Sequence, residues 1–487
     1  MADYTGGAKA GEAPQSVREP PGFAAANDEA HRRDRGRHSG ISFELAGARL
    51  LRRLRVGDAR IESSIPVGED DRTQASTDPL AFWWDAYLAG QVPVSHSGRP
   101  RNLRLADLFC GAGGLTMGVT QLARDLSLDV VVGLAVDSDR DALGTFSANH
   151  DVRVCEATRV ASLIDFRMTG QGRRAAFAYQ PEIVNENVAW GCADLDLLVA
   201  GPPCQGHSSL NNRSRWHDPR NTLMQSVAAF AAATQVPAVV IENVPGALRD
   251  QADVVLSVQT LLRSQGYRLS ARVLAADEMG WPQTRRRYFM VARLGEDPLP
   301  LDEVQVALAD PDPQRGDRSV SRVLGHVHRH LGTPSALHSP SRRDRDRGTD
   351  DALSTPTAHS RENQERIDWL FENEAYDLPD SERPLCHRDG TTYGAVYGRM
   401  RPDAPAPTIT TGFTSPGRGR FTHPTERRTI TPREAALIQG FPRNYRFVTE
   451  EGGVPNRTQL AKWIGDAVPM PLGYAASLAA LGQSVHR

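Results

Sequence analysis

The chain has 487 residues, which is too many for one small core and enough for two packed domains and a tail. Its hydrophobic fraction of 39% and charged fraction of 24% are ordinary for a globular protein, and no apolar run reaches the roughly 18 residues that cross a bilayer. Its first residues lack a signal peptide and its formal net charge of -2 excludes a globally basic protein, so we expect a cytoplasmic protein without membrane contacts.

The first hundred residues divide into two parts. Residues 1–40 are rich in Gly, Ala, Pro and charge and lack periodicity, which indicates a disordered arm. Residues 41–100 form an N-terminal extension to which the sequence assigns no function. Within it, residues 45–54 fit either a short helix or a strand, and the apolar residues from Phe82 to Leu88 predict a small helix that docks on the body.

From residue 103 the sequence alternates short apolar runs with helical stretches, which is the pattern of βαβ units. We therefore expect an α/β domain over residues 101–294, with a doubly wound, mostly parallel sheet that binds its ligands at the carboxyl ends of the strands. The predicted strands cover residues 103–109, 130–136, 195–200, 238–242, 267–275 and 288–294. The predicted helices cover residues 114–126, 140–149, 223–234 and 253–265.

After residue 294 this alternation stops. Residues 295–454 are rich in Pro, Asp, Arg and His and predict a smaller, irregular domain. A helix is expected to begin after Thr431, because Thr431 can cap it, Pro432 suits its first position and Glu434 completes a capping box. The last segment, 455–487, is predicted to be helical and apolar enough to pack back on the α/β domain.

A glycine-rich turn links the first predicted strand to its helix. The run Asp-Leu-Phe-Cys-Gly-Ala-Gly-Gly at 107–114 allows a tight turn and a close approach of the main chain to a ligand. Because its pattern is GxGG and not GxGxxG, it favours an adenosyl group over a dinucleotide. Asp137, just past the next strand, is suited to accept hydrogen bonds from ribose hydroxyls. The alternative is a turn that serves packing alone.

Among the five cysteines, which form neither a CxxC pair nor an even-numbered disulfide framework, Cys204 stands out. It lies in the run Gly-Pro-Pro-Cys-Gln-Gly at 201–206, directly after a predicted strand. A lone cysteine is more often a small buried hydrophobic residue, but such a residue gains nothing from a loop stiffened by two prolines. The pattern therefore favours a nucleophile, whose thiol needs a cationic or dipolar neighbour for activation.

Two further groups of charged residues lie at the ends of predicted strands. Glu242 ends a strand and would lie near Cys204 if their strands are neighbours, where its acid could donate to a ring nitrogen. Arg285 and Arg287 directly precede the predicted strand at 288–294, point to one side while Arg286 points to the other, and could hold a phosphate or a base carbonyl. The alternatives are a surface acid and a solvated basic face.

His326, His328 and His330 alternate, so a strand would place all three on one face. This spacing permits a metal site. However, no cysteine lies nearby, and histidines among arginines equally suit a loop that faces phosphates, so we expect no bound metal.

Taken in chain order, these motifs resemble those of the DNA (cytosine-5)-methyltransferase family. The resemblance runs from about residue 103 to the C-terminus. One such motif would be weak evidence, whereas this number in the family's order is highly specific. The motifs are DLFxGxGG at 107–114, GPPCQGxS at 201–208, DPRNxL at 218–223, ENV at 242–244, QxRxR at 283–287, PTITT at 407–411, HP at 423–424, REAALIQGFP at 433–442 and IGDAVP at 464–469.

The resemblance implies a methyl transfer from S-adenosyl-L-methionine to C5 of a flipped-out cytosine in a specific double-stranded DNA sequence. Cys204 would attack C6 while Glu242 holds or protonates N3. Arg285 would contact the base or its phosphate, and Arg287 would support the loop. The residues implied to line the cofactor site are Phe109, Gly111, Gly113, Asp137, Leu223, Asp466 and Val468.

The resemblance also implies the roles of the regions. Residues 101–294 would bind the cofactor and carry catalysis, residues 295–454 would be the target-recognition domain that reads bases in the major groove, and 455–487 would return to the catalytic domain. Three departures from the family pattern stand out. His207 replaces the usual Phe, Asp466 replaces the usual Asn, and the acid that usually binds the adenine amino group has no clear counterpart, with Glu156 and Asp165 as candidates and neither preferred.

Three alternatives remain at this stage. The substrate could be tRNA, although about a hundred residues of apparent recognition domain favour duplex DNA. The chain could be a non-catalytic DNA-binding relative, although Cys204, Glu242 and Arg285 are all present. A nicotinamide-dependent oxidoreductase fits the GxGG turn poorly. We expect a monomer associated with the nucleoid, with a cognate restriction endonuclease or another defence protein as a partner.

Overall fold

The computed structural model describes residues 39–95, 101–203, 223–250, 253–312, 316–329, 348–387 and 396–482. Almost all of the predicted 1–40 arm, the predicted nucleophile Cys204 and the motif residues 218–222 therefore lie outside the described residues. Within the described ranges, no helix has both the length and the apolar character needed to cross a membrane.

The elements alternate as the βαβ pattern predicts. The strands are β1 (Gly40–Ala46), β2 (Arg49–Val56), β3 (Ala59–Pro66), β4 (Val94–Ser95), β5 (Arg101–Leu108), β6 (Leu128–Asp137), β7 (Val152–Ala157), β8 (Ile164–Asp165), β9 (Met168–Thr169), β10 (Ala176–Phe177), β11 (Glu182–Ile183), β12 (Leu197–Ala200), β13 (Ala238–Asn243), β14 (Tyr267–Ala275) and β15 (Arg286–Leu294). The helices are α1 (Arg72–Thr77), α2 (Pro79–Leu88), α3 (Gly114–Asp125), α4 (Arg140–Ser147), α5 (Glu186–Gly191), α6 (Leu223–Thr234), α7 (Val254–Ser264), α8 (Leu301–Leu308), α9 (Val320–Arg329), α10 (Arg361–Glu372), α11 (Pro432–Gln439), α12 (Arg457–Asp466) and α13 (Met470–Leu481).

The central sheet has seven strands in the spatial order β14-β15-β13-β12-β5-β6-β7. Its neighbouring strands are parallel except at β15, which runs antiparallel to both β13 and β14. The chain proceeds from β5 outward to β7 on one side, and then to β12 and β13 on the other. The sheet is therefore doubly wound and mostly parallel, as predicted, and its switch point lies between β5 and β12.

The sequence predicts six of these seven strands. Strands β12 and β13 are continuous apolar runs because they are buried on both faces. The missed strand, β7, lies at the edge of the sheet, where exposed Arg153 and Cys155 alternate with valines. Its apolar signal is consequently too short to separate it from a loop.

Helices cover both faces of the sheet. The residues of α3 and α13 share one hydrophobic core, and those of α6 and α7 share the other. Helix α13 lies directly on α3, since a Cβ at Gly118 would lie 2.3 Å from the main-chain nitrogen of Tyr474. Only glycine at position 118 allows this approach, which fixes the C-terminal helix against the helix that follows β5.

The N-terminal extension forms an antiparallel sheet, β1 to β4. The ambiguous residues 45–54 belong to two strands joined by a turn, in which Leu50 and Leu54 face inward. Arg52 also faces inward: its guanidinium lies 4.4 Å from the ring centroid of Trp83 and pairs with Asp125 of α3. Helix α2, the predicted docking helix, buries nearly all of its residues. The extension is thus packed into the body of the protein.

Residues 295–454 combine helices with long loops. Helix α8 packs beside β14, where Leu301 N donates to Ser270 Oγ at 3.0 Å. Helix α11 begins as predicted, with a capping box between Thr431 and Glu434. Residues 320–329 form α9, so the strand that would place the alternating histidines on one face is not formed at His326 and His328. In a helix these two positions lie about 200° apart around the axis, and His330 lies outside the described residues.

Candidate active site

The carboxyl ends of three neighbouring strands meet at one edge of the sheet. In the strand register, Ala200 lies opposite Leu108 on one side and Ile241 on the other. Gly201 N then donates to Leu108 O at 3.3 Å. The glycine turn, the start of the Gly-Pro-Pro-Cys run and Glu242 are therefore side by side at the switch point, as predicted from their positions after strands.

The glycine turn is open at Gly111 and tightly packed at Gly113. Phe109, Gly111 and Gly113 all have positive φ angles, of 62°, 51° and 90°. A Cβ at Gly113 would lie 2.5 Å from Tyr445 Oη, whereas a Cβ at Gly111 would meet no atom within 4 Å. Gly113 is thus required by the neighbouring side chains, and the main chain at Gly111 leaves room for a molecule to approach closely.

Asp137 holds this turn in place. Its carboxylate accepts hydrogen bonds from Gly111 N and Asp139 N, both at 2.8 Å. Asp139 in turn accepts from Lys462 Nζ at 2.9 Å and Trp463 Nε1 at 3.1 Å. The predicted ribose acceptor therefore also orders the turn, and Asp139, which sequence reasoning misses, ties α12 to it.

Asp107 lies under the turn and is almost fully buried. Its carboxyl accepts a hydrogen bond from Thr116 Oγ1 at 2.5 Å. Burial raises the pKa of Asp107 to about 8, and the nearby Asp137 raises it further against the opposing effect of Thr116. At neutral pH Asp107 thus carries a proton in the folded protein but none in the unfolded chain.

We expect Asp107→Asn to remove a pH dependence of stability. Because the folded pKa lies above the unfolded value, the stabilising effect of the proton is complete below about pH 4 and is lost as the pH rises towards 8. Between about pH 6 and pH 8 the unmodified chain should therefore lose about 2 kcal/mol of unfolding free energy that the Asn variant does not lose. The difference in unfolding free energy, variant minus unmodified chain, should rise by that amount. Denaturant unfolding at both pH values measures this, and a difference independent of pH would contradict it.

Glu242 is the buried acid of the site. It is 8% exposed, and Arg287 Nε lies 2.9 Å from its Oε1. Its Oε2 lies 3.6 Å from where a Cβ at Gly201 would stand. Burial raises the pKa of Glu242, and Arg287 and Arg285 oppose that rise. The acid is thus held beside the first residue of the Gly-Pro-Pro-Cys run.

The two arginines of the QxRxR motif have different partners within the protein. Arg285 is 2% exposed and donates to the carbonyls of Ile409 at 2.7 Å and Gly465 at 3.1 Å. It therefore joins the 407–411 motif to the end of α12, while Arg287, expected to support the loop, faces Glu242. Arg286 points outward to Glu278, at 3.2 Å, as the alternation predicts. The alternation of residues along a strand predicts the side on which each arginine lies but not the group that it contacts.

The remaining residues predicted to line the cofactor site differ in burial and position. Val468 is buried against α3, because a Cβ at Gly114 would lie 2.8 Å from its main-chain nitrogen. Asp466 is exposed, and partial desolvation raises its pKa. Leu223 begins α6, directly after the residues that the structure leaves undescribed. Of the two acids considered for the adenine, Glu156 lies opposite Val136 at the same sheet edge.

Asp165, the other acid, is in the two-residue strand β8. It accepts a hydrogen bond from Tyr179 Oη at 2.9 Å. A separate group of His423, Glu426 and Glu434 has the residue types of a metal site, with ligand atoms within 4.8 Å of one another. Arg428 neutralises these acids, donating to Glu426 at 2.8 Å and to Glu434 at 2.7 Å, so the group is an ion-pair cluster.

A doubly wound sheet with a glycine turn, a strand-end acid and a buried glutamate at one edge is the arrangement expected of an α/β methyltransferase. The model of the family described as "C-5 cytosine-specific DNA methylase" matches residues 103–479. The chain therefore belongs to the C-5 cytosine-specific DNA methylase family, and it is a DNA cytosine-5 methyltransferase.

Two sequence relatives agree with this assignment. Type II methyltransferase M1.BsuMI of Bacillus subtilis (strain 168) is 36% identical over 443 residues, which cover 90% of this chain and 94% of the relative. Type II methylase M.HgiDII of Herpetosiphon aurantiacus is 29% identical, covering 75% and 92%. The crystal structure of S. pombe Dnmt2 methyltransferase aligns over 79% of this chain and 100% of its own, at 14% identity and a TM-score of 0.49.

Proposed function

We propose that this methyltransferase acts on a cytosine flipped out of a specific double-stranded DNA sequence, through a covalent bond between Cys204 and C6 of the base. The observation that carries the proposal is the position of Glu242. Its carboxyl is held by Arg287 and lies against Gly201, three residues before Cys204. An acid and a thiol at adjacent strand ends can act on the same ring.

The chain's own residues divide the chemistry as follows. The Cys204 thiolate forms a bond to C6, and Glu242 supplies a proton to N3, so that the electron pair of the ring moves to C5. When bound, S-adenosyl-L-methionine supplies the methyl group that C5 takes up. A base then removes the C5 proton, the bond between sulfur and C6 breaks to return the Cys204 thiolate, and the proton on N3 goes back to Glu242. Arg287 holds Glu242 in position throughout.

The residues around the glycine turn suit S-adenosyl-L-methionine. Gly111 leaves the main chain accessible, and Asp137 retains carboxylate lone pairs for ribose hydroxyls beyond the two amides that it accepts. We assign the adenine amino group to Glu156, since it is the penultimate residue of β7, the strand that pairs with the one ending in Asp137. Phe109, Gly113, Leu223, Asp466 and Val468 complete the proposed cofactor site.

We further propose that residues 295–454 recognise the target sequence and favour duplex DNA over tRNA. Two relatives are named Type II enzymes. By extension, we propose a restriction-modification role, in which a cognate restriction endonuclease or another defence protein is the partner. The enzyme would act in the cytoplasm, on the nucleoid, as a monomer.

The test uses the full chain expressed in a host that lacks cytosine methylation. Bisulfite sequencing should reveal 5-methylcytosine in one short sequence context, and the purified chain should form a covalent adduct with a 5-fluorocytosine duplex of that sequence. Peptide mass spectrometry should assign the adduct to Cys204. Methylation of tRNA and not DNA would contradict the proposed DNA substrate. An adduct at another residue would contradict the assignment of Cys204 as the nucleophile.

A further inference from the structure

A basic rim occupies the same edge of the sheet as Glu242. It consists of Arg173 and Arg174, in the 3-10 turn Gly172–Arg174, together with Arg249, at the end of the 3-10 turn Pro245–Arg249. All three arginines are exposed, and no ion pair joins them to an acid within the described residues. With a net charge of -2 on the whole chain, such a grouping is a local feature.

The position of the rim follows from the topology. Helix α7 follows β13 and leads to β14, which runs parallel to β13 because both are antiparallel to β15. The first turn of α7 therefore lies at the carboxyl edge. Gly172 N donates to Ser257 Oγ of that turn at 2.8 Å. The basic rim is thus fixed at the edge where the catalytic strands end, on the side of α6.

The turn that carries Arg173 and Arg174 is preorganised. Gly170 and Gly172 have φ angles of 68° and 56°, and a Cβ at Gly170 would lie 2.2 Å from Arg174 O. The turn lines an open cleft of about 760 Å³, in which Asp253 is the one acidic lining residue. A turn so constrained fixes the main-chain positions from which both arginine side chains extend.

We propose that the basic rim binds the phosphate backbone of the DNA duplex, on the side of the sheet that α6 and α7 cover. This inference rests on the proposed function, since a duplex that delivers a cytosine to Glu242 must lie across the carboxyl edge. Arginines that contact phosphates fix the register of the duplex without reading its sequence. The rim would therefore contribute affinity, and residues 295–454 would supply specificity.

The test is the salt dependence of binding to a mixed-sequence duplex, followed by fluorescence anisotropy between about 50 and 200 mM salt. The slope of log affinity against log salt is negative, and each lost phosphate contact should reduce its magnitude by about 0.9. Each lost contact should also weaken binding roughly tenfold near 0.1 M salt. We expect R173A/R174A to reduce the magnitude of the slope by about 1.8, and Arg249→Ala to reduce it by about 0.9.

The matched control is R55A/R60A, which removes two exposed arginines that lie opposite each other in the N-terminal sheet. It should leave the slope unchanged. The proposal fails if R173A/R174A keeps the slope of the unmodified chain, or if the control lowers it equally, which would reflect net charge. Calorimetric binding of S-adenosyl-L-methionine should be the same in every variant. Failure of the unmodified chain to bind or methylate DNA would instead overturn the proposed function.

Discussion

Glu242→Gln is expected to lower the rate of cytosine methylation by about 100-fold to 10,000-fold, the usual contribution of a positioned general acid. Glutamine preserves the shape of the side chain and can donate an N–H, but it cannot transfer a proton to N3. Because burial raises the pKa of Glu242, the acid form persists to higher pH than in an exposed glutamate. The rate of the unmodified enzyme should therefore fall as the pH rises through that pKa, and the Gln variant should lack this decline.

The experiment needs a control for the loss of an acid beside an arginine. Glu278→Gln provides it, because Glu278 pairs with Arg286 at 3.2 Å on the outward side of the same QxRxR motif. Single-turnover rates on the identified sequence should be near those of the unmodified enzyme for Glu278→Gln and strongly reduced for Glu242→Gln. If both variants lose less than about tenfold, Glu242 is not a proton donor and serves only to hold Arg287.

The strand ends of the site could be predicted because each depends on a local pattern. The buried runs that form β12 and β13 are apolar throughout, and a residue directly after such a run must lie at the sheet edge. The adjacency of Gly201 and Glu242 follows once the two strands are neighbours. Cys204, three residues further on, lies outside the described residues, so its position remains a prediction from sequence.

The contacts that complete the site could not be predicted, because they join residues that are distant in sequence. Lys462 and Trp463 reach Asp139 across more than 300 positions, and Arg285 reaches Ile409 and Gly465. Periodicity fixes a face of an element and carries no information about which segment will pack there. The carbonyl partners of Arg285 could not be predicted for this reason.

The N-terminal extension illustrates the same limit. In the sequence RLLRRLRV of β2, the arginines suggest a solvated strand. Arg53 and Arg55 are indeed exposed, but Arg52 is 0% exposed. Its partners are Asp125 and Tyr474, which lie 73 and 422 positions away. A buried arginine can be recognised only when the fold supplies its carboxylate and its aromatic neighbours.

Asp125→Ala is expected to destabilise the protein by about 3–5 kcal/mol, because it leaves the Arg52 guanidinium buried without its counter-ion. Tyr474 Oη donates to Asp125 at 2.8 Å and accepts from Arg52 at 2.9 Å, so the three side chains form one network. This network joins the N-terminal sheet to α3 and α13. Its loss should therefore loosen the docking of the extension as well as lower the free energy of unfolding.

The neighbouring pair Arg53–Glu44 is a matched control on the outer face of the same sheet. Its atoms lie 2.6 Å apart, but both side chains are about half exposed. Glu44→Ala should therefore cost less than about 1 kcal/mol in denaturant unfolding. The double variant R52M/D125L should cost less than Asp125→Ala alone, because it removes the unpaired charge. If Asp125→Ala costs no more than Glu44→Ala, the extension is held by its apolar contacts and the ion pair adds little.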